Sequence, residues 1–69
     1  MDIKTREFGR TLSEKISEKG ITKAELSRLV GVADTTITNY TKGRHKPRPY
    51  ILEELGKVFN CSPDDLYKY

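Results

Sequence analysis

The sequence has a single cysteine, Cys61, and a single histidine, His45. One cysteine cannot close a disulfide within its own chain, and no second ligand stands at a spacing that suggests zinc. Cys61 is expected as a free buried thiol, with a dimer disulfide or a reactive thiol as the other readings. No apolar run approaches the roughly 20 residues that a membrane-spanning helix needs. The first residues carry no long apolar stretch, so a signal peptide is not expected and a cytoplasmic protein is. Long linkers, repeats and low-complexity tracts are missing, and strand signals are weak throughout. No cysteine–histidine pair, metal set or phosphate loop is in evidence. An enzyme is therefore not expected, and neither is a cofactor.

At 69 residues the chain is long enough for one small domain and not for two. Its formal net charge is +3, unevenly placed. Residues 1–48 hold eleven Lys or Arg against six Asp or Glu, whereas residues 49–69 hold two against four. The basic charge is densest from Lys42 to Arg48, in Lys-Gly-Arg-His-Lys-Pro-Arg. A polyanion would feel that segment first. A solvated loop kept polar for solubility is the plainer reading of the same residues.

Helical spacing organises the rest. Residues 1–5 read as a short tail, and 6–69 as one domain. Phe8, Leu12 and Ile16, four apart, mark one face of a helix over about 6–18, stopped at Gly20. Thr22 and Glu25 form a capping box that starts a second helix, with Leu26, Leu29 and Val30 as its apolar face. Ser27 is small enough there to let another helix cross closely. Gly31 ends this helix in a turn, where a left-handed backbone costs glycine no side-chain penalty.

A third helix begins at Ala33 or Asp34 and runs to about Thr41. Ile37 and Tyr40, with Val32 before them, are its buried side; Asp34, Thr35, Thr38 and Asn39 remain for the outer face. Its threonines and asparagine make it a poor helix by propensity, so packing must hold it. Pro49 suits the first position of a fourth helix, whose face is Ile51, Leu52, Leu55, Val58 and Phe59. Gly56 within it is read as a close crossing against another helix. Ser62, Pro63 and Asp65 start a short fifth helix anchored by Leu66. The expected fold is all-α: a compact five-helix domain with a helix-turn-helix over residues 22–41.

Such a corner alone does not establish DNA binding, but the basic loop directly follows its second helix. The wider pattern is more specific. Gly20 to Leu26, Leu29 to Val32, Thr36 to Tyr40 and Gly43 match in order and spacing a known family, as do Lys46-Pro47, Leu55, Val58-Phe59 and Asp64 to Leu66. Residues 8–67 resemble the phage repressor and Cro type of helix-turn-helix domain, also called lambda-repressor-like.

The resemblance implies a small transcriptional regulator, typically a phage or mobile-element repressor, that binds a palindromic operator on double-stranded DNA as a homodimer. It implies a nucleoid-associated protein in a prokaryotic or phage-infected cell. Lys23 matches a position that touches phosphate, where glutamine is usual. Ala33 matches a serine or threonine cap, so either Asp34 takes over the capping or the helix starts weakly. Asp34, Thr35 and Asn39 match base-facing positions, with Thr38 nearby. Lys42, Arg44, Lys46 and Arg48 are expected on phosphates. Asn39 can pair with adenine through two hydrogen bonds, and Asp34 can accept one from cytosine. Tyr50, Tyr67 and Tyr69 are the candidate dimer contacts. The alternatives are an interaction module or antirepressor acting on a larger repressor, motivated by the Ala33–Asp34 pair, and an antitoxin-type DNA-binding subunit.

Overall fold

The computed structural model describes residues 2–69. Helix α1 spans Ile3–Lys19, α2 Lys23–Val30, α3 Asp34–Thr41, α4 Pro49–Phe59 and α5 Pro63–Leu66. The described residues are all-α, as the spacing predicts.

Helix α1 starts earlier than its apolar periodicity implies. Asp2 is its N-cap: the Thr5 amide donates to Asp2 Oδ1 at 2.7 Å. Residues 2–5 are therefore not a tail, and Thr5 is buried at 4% exposure. A polar residue in the buried stripe hides the first turn from a reading based on apolar spacing. The stripe continues through Phe8, Gly9, Leu12 and Ile16. Those hydrogen bonds from Thr5 hold the Asp2 carboxyl below its ordinary pKa.

Phe8 is the hub of the core. Its ring meets Tyr40 edge-on at 5.5 Å and Tyr67 at 6.1 Å. Gly9, one residue on, lets α1 cross the end of α3. A Cβ there would lie 2.6 Å from the Tyr40 carbonyl oxygen and 2.8 Å from the Gly43 nitrogen. Leu26, Ile37, Ile51, Leu52, Leu55 and Leu66 complete the buried cluster.

Three expectations change. Leu29 is exposed, because α2 turns Leu26, Ser27 and Val30 inward, and at 100° per residue Leu29 falls off that face. Gly56 faces mainly the loop that leads into α5: a Cβ there would lie 2.7 Å from Cys61 O and 3.6 Å from Pro63, the first residue of α5. Cys61 is free and half-buried.

Candidate nucleic-acid interface

The corner is fixed at both ends of α2. Thr22 Oγ1 accepts from the Glu25 amide at 3.0 Å, and Glu25 Oε1 accepts from the Thr22 amide at 3.1 Å. This reciprocal bond satisfies two amides that the helix start leaves free. At the other end Gly31 takes φ 81°, and its amide donates to Ser27 O at 2.8 Å. The Val32 amide donates to the same oxygen at 3.0 Å, which reverses the chain into α3.

Helix α3 begins differently from the expectation. Its N-cap is Ala33, and no side chain caps it. Asp34 is the first helical residue, not the cap, and its Oδ1 accepts from the hydroxyl of buried Ser27 on α2. The carboxylate is thus turned back across the corner. Ile37 and Tyr40 are buried and pin α3 to the core, which answers its poor propensity. Thr35 is exposed, while Thr38 and Asn39 are half-buried. Lys23 is exposed at the start of α2.

The segment after α3 is ordered by backbone bonds. The Lys42, Gly43 and Arg44 amides donate to Thr38 O, Tyr40 O and Asn39 O at 3.0 to 3.1 Å. Lys42, Arg44, His45, Lys46 and Arg48 are exposed, whereas Pro47 between them is fully buried. Among the described residues the recorded ion pair is Lys57–Glu54, outside this segment, so no loop cation is in a salt bridge, although Lys46 lies near enough to the Asp2 carboxylate to help lower its pKa. The loop, α3 and the start of α4 enclose a groove of about 530 Å³ whose lining includes Asn39, Tyr40, His45, Arg48 and Tyr50. Burial raises the Tyr40 phenol above its ordinary 10.0, and Tyr50 pushes the same way against Arg48.

The three tyrosines separate. Tyr50 is exposed at 61%. Tyr67 is buried at 6%, because the chain after α5 runs back over α1 and sets its ring on Phe8; it is not a surface contact. Tyr69 is 60% exposed yet tied down: its hydroxyl donates to Pro47 O, its ring meets Tyr67 at 4.9 Å, and Lys46 Nζ sits 4.8 Å from its centroid. The roles of Ser27 and Tyr69 escape sequence reading, since each acts through a contact between elements. The only signal for the first is a small hydroxyl on the buried face of α2, seven residues before an acid at the start of α3.

Among the described residues no helix is long and apolar enough to cross a membrane, and no group of His, Cys, Asp or Glu is placed to hold a metal ion.

Comparison with known proteins agrees with this geometry. A family model described as helix-turn-helix matches residues 12–66. An HTH-type transcriptional regulator of Archaeoglobus fulgidus is 35% identical over 48 residues, 70% of this chain and 69% of that one. The P22 c2 repressor, solved in complex with a synthetic operator, is 30% identical with a TM-score of 0.85, over 93% of this chain and 97% of that one. The LexA SOS-response repressor from Eubacterium rectale is 27% identical with a TM-score of 0.90, over 97% of this chain and 71% of that one. The restriction-modification controller C.AhdI from Aeromonas hydrophila, 21% identical, shares the fold with a TM-score of 0.84 over 91% of this chain and 96% of that one.

Proposed function

Because the chain belongs to the helix-turn-helix family of phage-repressor and Cro type, and is a transcriptional regulator with that DNA-binding fold, we propose that it recognises a palindromic operator as a homodimer. Helix α3 enters the major groove. Thr35 and Asn39 meet base edges, with Thr38 beside them. Asn39 pairs with adenine, and the Thr35 hydroxyl or methyl meets a neighbouring base. Lys23, Lys42, Arg44, Lys46 and Arg48 hold the flanking phosphates.

The observation that carries this reading is the basic loop, ordered by backbone bonds and holding no salt bridge, that directly follows α3. Phosphate contacts place a protein on the duplex, and base contacts choose the site. The two kinds are supplied here by adjoining segments. A single short reading helix buries too little for tight specific binding, which favours two copies on two half-sites about one helical turn apart. With Tyr67 buried, Tyr50 and the exposed face of Tyr69 are the tyrosines able to meet a second copy. The P22 c2 repressor was solved on a synthetic operator, and the regulated DNA is proposed to be that of a phage or mobile element.

The interaction-module reading rests on a weakly started α3. Ala33 does leave the helix without a side-chain cap, but the Asp34–Ser27 bond anchors the same end. Footprinting on DNA flanking the coding sequence, with the mass of the complex measured by sedimentation, tests the proposal. Two protected half-sites related by a dyad and two copies per site are expected. A footprint without a dyad, holding one copy, would refute the dimeric reading.

A further inference from the structure

We propose that Ser27 and Asp34 form a tie that sets the rotation and docking of the reading helix, so that Asp34 positions α3 and does not itself read a base. The inference rests on the proposed role of α3 in DNA recognition.

A helix leaves its first four amides without partners, and a side-chain cap is the usual remedy. Ala33 has no atom to offer, and α3 starts on backbone bonds alone, Thr36 and Ile37 both donating to Ala33 O. The sequence Asp-Thr-Thr-Ile-Thr-Asn-Tyr-Thr does little to help. Ile37 and Tyr40 hold the middle and end of the helix but not its first turn. Asp34 does that by reaching outward from α3 to the buried face of α2.

Ser27 is chemically matched to this task. Its hydroxyl has one proton and two acceptors in reach, Ala24 O at 2.7 Å and the Asp34 carboxylate. The charged acceptor makes the stronger bond. Ser27 is 2% exposed, so its hydroxyl sits where water competes poorly, although Asp34 itself is exposed. The carboxylate also lies at the positive end of the α3 dipole, where a negative charge is favoured. A side chain engaged in this way is turned from the base edges that Thr35 faces. The remaining effect of its charge on DNA is repulsion of phosphates, which acts on every sequence alike.

Ser27→Ala removes the donor and keeps the charge; Asp34→Asn keeps an acceptor and removes the charge; Asp34→Ala removes both. Alanine is the best helix former, so Ser27→Ala is expected to fold. The tie predicts that Ser27→Ala and Asp34→Ala each narrow the ratio of operator to random-duplex affinity by about fivefold, the size of one net hydrogen bond. The double variant should lose no more than either single one, and Asp34→Asn, whose neutral oxygen is the weaker acceptor, should narrow the ratio less than Asp34→Ala while strengthening binding to both duplexes. If Asp34→Asn instead changes the preferred base at one position while Ser27→Ala changes nothing, Asp34 is a base reader and the proposal is overturned. Amide exchange on the free protein judges the tie without DNA. The Thr36 and Ile37 amides should exchange about fivefold faster in Ser27→Ala, with α4 unaffected. An unchanged α3 profile overturns the tie even where the operator is bound. Should no duplex bind, the recognition reading fails while the exchange data still decide whether the tie exists.

Discussion

The Tyr69 hydroxyl donates to the Pro47 carbonyl across 22 residues of sequence, and the same ring carries the Lys46 ammonium 4.8 Å from its centroid. The chain after α5 thereby pins the middle of the basic loop to the core through Tyr67 and Phe8. Tyr69→Phe should cost about 1 kcal/mol of folding stability, a net hydrogen bond. Tyr69→Leu should cost a further 0.5 kcal/mol or about that, by loss of the cation–π contact. Urea unfolding of the three proteins measures both steps. Equal stabilities would show that the anchor contributes nothing.

Loop cations and reading residues should separate in their effects on DNA. Arg44→Ala is expected to weaken operator and random duplex by the same factor and to reduce the slope of log K against log salt by about 0.9. Asn39→Ala should leave that slope alone and narrow the gap between the two duplexes by about 1–3 kcal/mol. Fluorescence anisotropy over a salt series resolves the two. An unchanged gap in Asn39→Ala removes it from the reading face.

Gly9 is where α1 and α3 touch. In an exposed helix, Gly→Ala would add about 1 kcal/mol. Here the new methyl meets the Tyr40 and Thr41 carbonyl oxygens at 2.6 and 2.9 Å, and backbone cannot step aside as a flexible side chain can. Gly9→Ala should therefore destabilise by about 1–3 kcal/mol, as overpacked cores do. A rise in Tm would mean that α1 and α3 are farther apart than described.

Asp2 gives the fold a pH dependence at its acid end. Its pKa is held down by the bonds from Thr5, so the folded state binds this proton less readily than the unfolded chain. The stabilisation is fully present above the unfolded value and is lost as pH falls through the lower folded one. Asp2→Ala should lower Tm at neutral pH and converge on the parent protein in strong acid. A Tm difference that stays constant from neutral pH to pH of about 2 would contradict the cap.

Much of this is legible in the sequence. Thr22 with Glu25 and Ser62 with Asp65 announce helix starts, because a cap is a local device spelled out over four residues. Gly31 announces the turn for the same reason. What escaped is what depends on how elements meet. Leu29 has a core-like spacing, but α2 turns Ser27 inward and leaves Leu29 exposed. Tyr67 looked like surface because nothing local says that the chain after α5 folds back onto Phe8. Thr5 is polar and buried, so it broke the apolar pattern that located α1. The outer face of α3 divides likewise: Thr35 is exposed as helical spacing implies, Asn39 is half-buried, and Asp34 bonds to α2 because of a partner seven residues away.

The central claim is sequence-specific recognition of double-stranded DNA through α3, and one titration tests it most directly. The purified protein is added to labelled duplex from the DNA flanking its coding sequence, and to random duplex of equal length, at one near-physiological salt concentration. A preference of about a thousandfold or more for one segment of the flanking DNA is predicted. Equal affinity for both duplexes would contradict it.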